Sequence, residues 1–362
     1  MIPFGNLKKH YVSIKQDIDE TIFRVLNRGW FILGEEVEKF EKEFSNFCGK
    51  KYGVGVGNGT DALILALKAL NIGEGDEVIT VPNTAIPTVS AIISTGAKPR
   101  FVDIGEDYLI DVKKIEKAIN ENTKAIIPVH LFGQACDMDP IIKISERYNL
   151  AIIEDCCQAH GAEYKGKRVP ISDIGCFSFY PSKNLGGFGD GGMILTDYES
   201  LYNKLKMMRN YGQSDKYHAE SQGQNTRLDE LQAAILRTKL RYLNGWNEKR
   251  RKYASLYSSL LKDTKIDTPI ENKGKNHIYH LYVIRSKERD KLQEYLKSKG
   301  IGTAIHYPIP LHLQKAYKYL GYKEGDFPLS EKYQKEILSL PIYPELTEEE
   351  IKEVIKTVKD FS

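Results

Sequence analysis

The sequence predicts an α/β protein with a mostly parallel, seven-stranded-type sheet between helices, followed by a smaller α+β domain. Short apolar segments alternate with helical patterns from residue 52 to about residue 196, which is typical of right-handed βαβ crossovers. Beyond about residue 245 this alternation gives way to helices mixed with two candidate strands. We therefore divide the chain into residues 1–245 and residues 246–362.

Two helices are predicted before the alternation begins. Apolar residues recur with helical spacing between His10 and Asn27, and Gly29 is the expected C-terminal stop. A second helix is predicted between Val37 and Phe47. The aromatic loop of residues 29–34 lies between them, and we expect it to be a hydrophobic anchor for the N-terminal arm.

Seven apolar segments of the large unit read as strands, and helical patterns follow the first four. The segments are Tyr52–Val56, Glu77–Val81, Pro99–Val102, Lys124–Val129, Ala151–Glu154, Ile174–Phe179 and Gly192–Leu195. A long helix from about Arg227 to Leu260 leads out of the large unit. In the small unit we predict strands over His280–Arg285 and Ile301–His306, and helices over Lys287–Lys299 and Thr347–Val358.

The composition is that of a globular protein without an extensive nucleic-acid surface. The 362 residues are 41% hydrophobic and 28% charged, and their net charge is only +3. The five cysteines are odd in number and show neither a CxxC pair nor a metal-ligand spacing, so we expect a reduced, cytoplasmic protein without a metal. We also expect no signal peptide and no membrane span.

Three stretches carry the residues from which a chemical site could be built. Lys183 lies among turn and glycine residues in Gly175–Gly192, where the backbone can approach a ligand closely. A buried parallel strand over Ala151–Glu154 delivers Asp155 to the edge of the sheet at which α/β proteins bind ligands. In Tyr52–Leu70 a strand runs through glycines into a helix, whose free N–H groups and dipole form an anion site.

The three stretches together match the needs of pyridoxal phosphate (PLP). This cofactor requires a phosphate site, an acid that keeps its ring nitrogen protonated and an amine that forms a Schiff base. We nominate Gly59, Thr60 and Ser178 for the phosphate, Asp155 for the ring nitrogen and Lys183 for the Schiff base.

At these residues the sequence resembles the DegT/StrS-type sugar-nucleotide aminotransferases, which have the type I fold of aspartate aminotransferase. The motifs are GNGTDAL at 57–63, EDCCQAHGA at 154–162, FSFYPSKNLGGFGDGG at 177–192 and NTRLDELQAAIL at 225–236. They occur in the family's order, and the resemblance extends from about residue 2 to the C-terminus.

The resemblance implies roles for individual residues. Lys183 would bind the cofactor and then move a proton between substrate and cofactor, with pyridoxamine phosphate (PMP) as an intermediate form. Gln158 would contact the phenolic oxygen of the ring or cover one ring face. Asn225 would reach the phosphate from the partner subunit of a homodimer, so that active sites are shared.

Two positions vary among members of the family, and they place this sequence within it. Many relatives carry an aromatic residue that stacks on the cofactor ring at the position of Ala85, and alanine cannot stack. Some relatives replace the Schiff-base lysine with histidine and are sugar dehydratases, whereas Lys183 is present here.

The candidates for substrate contact are cations and aromatic residues that suit a nucleotide diphosphate and a sugar. They are Tyr180, Arg209, Tyr211, Lys216, His306 and Tyr307. The stretch His306–Tyr307–Pro308 resembles that of relatives that aminate a 3-keto sugar.

The resemblance implies an aminotransferase that moves the amino group of L-glutamate to a dTDP-linked 3-keto-6-deoxyhexose of gluco or galacto configuration. One alternative is the same chemistry at the 4-keto carbon of a dTDP- or UDP-sugar. A second is a regulatory or sugar-binding protein without activity, and a third is a PLP lyase or dehydratase. The complete set of Lys183, Asp155 and Thr60 favours transamination over binding alone.

Overall fold

The computed structural model describes residues 1–361. Its strands are β1 (Tyr52–Val56), β2 (Glu77–Thr80), β3 (Lys98–Phe101), β4 (Thr123–Ile126), β5 (Ala151–Ile152), β6 (Glu154–Asp155), β7 (Glu163–Tyr164), β8 (Lys167–Arg168), β9 (Ile174–Ser178), β10 (Gly192–Thr196), β11 (Gln213–Asp215), β12 (His218–Ala219), β13 (Lys275–Asn276), β14 (Tyr282–Arg285) and β15 (Ile337–Leu340). Its helices are α1 (Leu7–Ser13), α2 (Lys15–Arg28), α3 (Glu35–Cys48), α4 (Gly59–Ala69), α5 (Ile86–Ser94), α6 (Val112–Ala118), α7 (Met138–Tyr148), α8 (Glu199–Met208), α9 (Glu230–Leu240), α10 (Leu243–Leu261), α11 (Arg289–Ser298), α12 (Pro328–Glu336) and α13 (Glu348–Phe361).

The central sheet has the strand order β1-β10-β9-β6/β5-β4-β2-β3. β5 and β6 are successive parts of one extended segment, because Ile153 between them donates its N–H to the Ile126 carbonyl and Asp155 bridges Val129. β10 runs antiparallel to both neighbours, and the other pairings are parallel. The predicted, mostly parallel seven-stranded sheet is therefore confirmed for the described residues.

Helices cover this sheet and bury its strands along nearly their whole length. α3 packs on β1, α4 on β9 and β10, and α7 on β5. Strands buried on both faces are expected to be continuously apolar, as β10 (Gly192–Thr196) is. The carboxyl ends of β5/β6 and β9 thus meet at one edge of a rigid core.

The predicted strand positions of the large unit agree with the structure to within a few residues. The helical pattern from Arg227 to Leu260 forms two helices instead of one, because α9 ends at Leu240 and α10 begins at Leu243. The proposed boundary at residue 245 lies in the first turn of α10.

A second hydrophobic cluster lies in the C-terminal part of the chain. It brings together apolar side chains of α10, α11, α13 and the antiparallel pair β14–β15. The predicted strand over Ile301–His306 is wrong: this segment makes only isolated bridges, from Ile301 to Ile2 and from Ala304 to Ser339. β15, which the sequence analysis did not predict, supplies the pairing partner of β14.

The aromatic loop of residues 29–34 is exposed and does not anchor the arm as expected. Trp30, Phe31 and Ile32 are 59%, 46% and 39% exposed. The carboxylate of Glu230 accepts hydrogen bonds from the N–H groups of Gly34, Glu36 and Val37, so the loop is fixed at its base. Within residues 1–361, every helix is too short or too polar to cross a bilayer.

Candidate active site

Asp155 lies at the carboxyl end of β6 and is only 4% exposed. Its Oδ2 accepts a hydrogen bond from the Thr88 hydroxyl at 2.8 Å, and its Oδ1 accepts one from the Cys157 N–H at 3.1 Å. Thr88 lies in α5, and its hydroxyl is 3.1 Å from that of Thr84. Each carboxylate oxygen can accept a further bond. Asp155 is therefore held in place with acceptor capacity to spare.

Lys183 projects from the loop that connects β9 to β10. Its N–H donates to the Tyr180 carbonyl at 2.9 Å, and a Cβ on Gly186 would lie 2.5 Å from the Pro181 carbonyl oxygen, so the turn needs glycine there. Burial lowers the pKa of the Lys183 amine, although the charges of Cys157 and Asp155 act against this. Among residues 1–361 the Nζ atom has no hydrogen-bond partner. A desolvated, unpaired amine is suited to nucleophilic attack.

The first turn of α4 forms an anion cradle opposite the end of β9. Within the described range the N–H groups of Gly59 and Thr60 have no protein acceptor, and Asn58 caps the helix by accepting from the Asp61 N–H at 2.8 Å. A Cβ on Gly59 would lie 2.6 Å from the Ser178 Cβ. The glycine thus permits the close approach of helix and strand that brings the predicted phosphate residues together.

Gln158 and Tyr307 lie on the same side of the site. The Gln158 Oε1 accepts from the Phe132 N–H at 2.8 Å, and its Nε2 donates to the Tyr307 hydroxyl oxygen at 3.0 Å. Burial raises the pKa of Tyr307 to about 12. His306 lies 2.9 Å from the Ser339 hydroxyl, and burial together with the charge of Lys183 lowers its pKa to about 4. Both residues are therefore neutral at physiological pH.

Three of the other substrate candidates are exposed, and one is buried. Tyr180 and Tyr211 are 55% and 48% exposed, and Lys216 lies on an exposed hairpin 5.1 Å from the Tyr217 ring. Arg209 is 5% exposed and is bound by Glu41 and by the Gly55 carbonyl. Its role as a substrate residue stays a prediction, and the ion pair with Glu41 engages its Nη1.

Asn225 does not join the site within one chain. It is exposed, and its main chain pairs with Asn210. The structure of a single chain therefore leaves its predicted role at a partner's phosphate as a prediction.

Sequence reasoning missed Thr84, Thr88 and the N–H of Cys157, which position Asp155. The sequence contains one signal for the two threonines. Both hydroxyl residues occur soon after β2, whose carboxyl end lies at the same sheet edge as the end of β6. Because Thr88 and Asp155 are 67 positions apart, the contact itself is a product of the fold.

The arrangement fits PLP on three counts. The unpaired N–H groups of Gly59 and Thr60 suit a phosphate, the unpaired Lys183 amine suits an aldehyde, and the spare acceptor capacity of Asp155 suits a protonated ring nitrogen.

Known proteins include relatives that align with nearly the whole chain. A dTDP-3-amino-3,6-dideoxy-alpha-D-galactopyranose transaminase of Aneurinibacillus thermoaerophilus is 48% identical, with 100% of this chain and 99% of the relative aligned. A protein of Geobacillus stearothermophilus named "Pleiotropic regulatory protein" is 45% identical, with 99% and 98% aligned.

Solved structures agree with the same fold. The structure of DesV from S. venezuelae in complex with a ketimine intermediate has a TM-score of 0.98 and 43% identity, with 99% of this chain and 98% of that chain covered. The structure of NtdA from Bacillus subtilis with bound cofactor PMP has a TM-score of 0.91 and 34% identity, with 99% and 84% covered. The model of the DegT/DnrJ/EryC1/StrS aminotransferase family matches residues 12–359. The chain therefore belongs to this family of PLP-dependent sugar aminotransferases.

Proposed function

We propose that the protein is a homodimeric aminotransferase that moves the amino group of L-glutamate to C3 of a dTDP-3-oxo-6-deoxyhexose. The product would be a dTDP-3-amino-3,6-dideoxyhexose of gluco or galacto configuration. The observation that carries the proposal is the unpaired, desolvated Lys183 amine beside Asp155 and the α4 anion cradle. The 48% identical relative, named as a transaminase for such a product, supports the choice of substrate.

Each protein residue has a chemical role that follows from its position in the site. When bound, the cofactor supplies an electron-withdrawing ring that stabilises negative charge on the substrate carbon. Asp155 would keep the ring nitrogen protonated, since its buried carboxylate can accept a hydrogen bond there. The Lys183 Nζ would carry a proton between the substrate carbon and the cofactor's carbonyl carbon, which requires a neutral amine. The first turn of α4 and Ser178 would anchor the phosphate.

The candidates for sugar and nucleotide contact are His306, Tyr307, Tyr180, Tyr211 and Lys216. His306 and Tyr307 are supported by their position, since His306 lines a cavity together with Lys183 and Tyr307 accepts a hydrogen bond from Gln158. The other three are exposed residues, and their support is the resemblance to the family. All five cysteines are free thiols, which favours a reducing compartment such as the cytoplasm.

The name of the Geobacillus stearothermophilus relative suggests a regulatory role as an alternative function for this protein. A protein that only binds a sugar has no need of a desolvated lysine next to a fixed carboxylate, because both features raise the cost of folding without improving binding. The site therefore favours catalysis. Amination at the 4-keto carbon of a dTDP- or UDP-sugar remains the second candidate reaction.

The test is the visible absorbance of the cofactor-loaded protein. L-Glutamate should bleach the band of the lysine-bound cofactor, and a dTDP-3-keto-6-deoxyhexose added after removal of glutamate should restore it. Restoration only by 4-keto sugars would move the assignment to the second candidate. A protein that glutamate never bleaches would contradict the aminotransferase proposal, and Lys183→Ala provides the control without the reactive amine.

A further inference from the structure

A cavity of about 350 Å³ is lined by Lys183 but not by Asp155, Gln158 or Ser178. Its walls come from the N-terminal segment, the lysine loop, α10 and the segment 342–345, with His280 and His306 between them. The volume is at the lower end of the range for small-molecule pockets. The cavity can therefore hold a small metabolite next to the reactive amine, whereas a nucleotide-linked sugar needs more room.

Arg250 forms part of the wall and has unused donors. The residue is 7% exposed, and its Nη1 donates to the carbonyl oxygens of Tyr279, His280 and Ile342 at 3.3, 3.3 and 2.8 Å. The buried Nε has no hydrogen-bond partner, and within residues 1–361 the guanidinium forms no ion pair. Buried polar groups are nearly always paired, so a guanidinium without an ion pair beside a cavity is a candidate contact for an anion.

Charged side chains of both signs lie around the cavity. Burial lowers the pKa of Arg250 to about 10, so it stays cationic at neutral pH. Glu345 contributes a negative charge to the wall and lies 2.6 Å from His10, whose pKa burial lowers. Outside the lining, burial lowers the pKa of Lys239 to about 8, and this residue is therefore mostly cationic as well. An incoming carboxylate would be attracted by Arg250 and Lys239 and repelled by Glu345.

His280 adds an acceptor to the same cavity. The Asn184 Nδ2 donates to the Asn247 Oδ1 and the Ile278 carbonyl, so the Asn184 Oδ1 is the acceptor that faces the His280 Nδ1 at 3.1 Å. The His280 Nδ1 must then carry the proton, and its Nε2 keeps a lone pair. Burial and the charge of Lys183 lower the pKa of His280, which keeps the ring neutral. A neutral acceptor suits an ammonium group.

We propose that this cavity binds the amino-acid donor and that Arg250 holds one of its carboxylates, with the donor's amino group directed towards Lys183. The inference rests on the proposed aminotransferase function and adds to it the site of the donor. The guanidinium group of an arginine is the usual partner of a carboxylate. The Arg250 Nη1 is committed to the backbone and its Nε is enclosed by protein, so Nη2 is the donor that remains for a ligand.

The first test follows the glutamate half-reaction by stopped-flow absorbance of the cofactor-loaded enzyme. In Arg250→Lys, which keeps a cation for the carbonyl oxygens but loses the Nη2 donor, the glutamate concentration for half-maximal rate should rise about tenfold or more. The keto-sugar half-reaction of the PMP-loaded variant should stay within about twofold of the unmodified enzyme. Arg251→Met is the matched control, because Arg251 on the same helix pairs with Glu271 at the surface.

A second pair of variants tests the cavity without touching Arg250. Asn6 lines the cavity and caps α1 by accepting from the Lys9 N–H at 2.8 Å. Asn6→Asp keeps the cap and adds a negative charge, so it should weaken the use of glutamate relative to Asn6→Ser, which keeps the cap without the charge. Equal behaviour of the two variants would count against a carboxylate site.

Binding of glutarate, a dicarboxylate that cannot react, gives a readout apart from activity. Calorimetry should show glutarate binding to the unmodified protein and a loss of about tenfold or more in Arg250→Lys. Unchanged glutarate binding, or equal losses in both half-reactions, would overturn the inference. A protein that glutamate never bleaches, but whose glutarate binding depends on Arg250, would contradict the proposed function and still support the carboxylate site.

Discussion

Asp155 shows how a single carboxylate is prepared for its role at the residue scale. The Thr88 hydroxyl and the Cys157 N–H each donate to one of its oxygens, which fixes the side chain inside the protein. Asp155→Asn keeps the shape but presents an amide, which no longer favours a proton on the ring nitrogen. We expect both half-reactions to slow by about 100-fold or more, while cofactor affinity changes much less. Single-turnover absorbance and cofactor titration measure the two effects separately.

Thr88→Val is the matched control for Asp155. It removes one hydrogen bond to the carboxylate while keeping the charge, so a smaller loss of rate, about tenfold, is expected. A loss of cofactor affinity as large as the loss of rate in Asp155→Asn would contradict a role in tuning the ring nitrogen.

Individual residues could be predicted from the sequence where chain position fixes their place in the sheet. Lys183 and Asp155 follow apolar strands, and the carboxyl ends of parallel strands meet at one edge. Thr88 could not be predicted, since its contact with Asp155 depends on how α5 packs. The burial of Arg209 could not be predicted either, because a sequence shows a cation but not its buried partner Glu41.

At the scale of elements, the approach of α4 to β9 depends on Gly59. Its missing Cβ would lie 2.6 Å from the Ser178 Cβ and 3.0 Å from the Cys157 Sγ. Gly59→Ala should therefore push the helix from the strand and weaken cofactor binding by about tenfold or more, as measured by cofactor titration. Gly245→Ala is the control, because a Cβ at Gly245 in α10 meets nothing within 4 Å. Equal cofactor affinity in both variants would show that the cradle tolerates a wider spacing.

The strand that carries Asp155 is stabilised by its neighbour Glu154. The buried carboxylate accepts hydrogen bonds from the N–H groups of Ile171 and Ser172 and lies 2.7 Å from the His130 Nε2. The His130 Nδ1 accepts from the Cys136 N–H, so His130 is a neutral donor to Glu154. The ligand atoms of His130, Glu154 and Cys156 lie within 4.8 Å of one another, as in a metal site. However, protein donors already occupy the Glu154 carboxylate. The cluster is therefore explained by hydrogen bonding alone.

This network predicts a pH dependence of stability. Burial acts to raise the pKa of Glu154, but the bonds from His130, Ser172 and Ile171 prevail and lower it below its ordinary 4.5. A lowered folded-state pKa means that the contribution is present above pH 4.5 and is lost as the pH falls through the folded-state value. Glu154→Gln should lower the free energy of unfolding by about 3 kcal/mol at pH 7 and by less in acid, as measured by urea denaturation. The same loss at both pH values would contradict the assignment.

Elements were predictable where the local pattern and the fold agree. The buried strands of the large sheet are continuous apolar runs, and their positions were predicted to within a few residues. Ile301–His306 has a strand-like composition, yet it forms only bridges because β14 pairs with the later segment Ile337–Leu340. Strand pairing over such a sequence distance is decided by tertiary packing, which local composition does not contain.

At the scale of the whole molecule, one face of the chain has the character of an interface. Phe23 and Leu26 of α2 are 66% and 51% exposed, and Trp30 and Phe31 of the following loop are exposed as well. Apolar side chains that are neighbours along one helix and loop are typical of a surface covered by another protein. A second copy of the chain is the occupant that the proposed homodimer requires, and it would also bring an Asn225 that is exposed in the single chain.

Shared active sites can be tested with mixed dimers. If Asn225 serves the partner's site, Lys183→Ala and Asn225→Ala remove residues from different chains of each site, and each homodimer should have low turnover. Mixing the two variants under conditions that allow subunit exchange forms heterodimers in which one site carries both changes and the other is intact. Random exchange should then restore about a quarter of the unmodified turnover. If each site were contained in one chain, Lys183→Ala subunits would stay inactive in every dimer, and mixing would give only the average of the two variants. Measuring turnover as a function of mixing time, with subunit exchange followed by a mass tag, separates these outcomes.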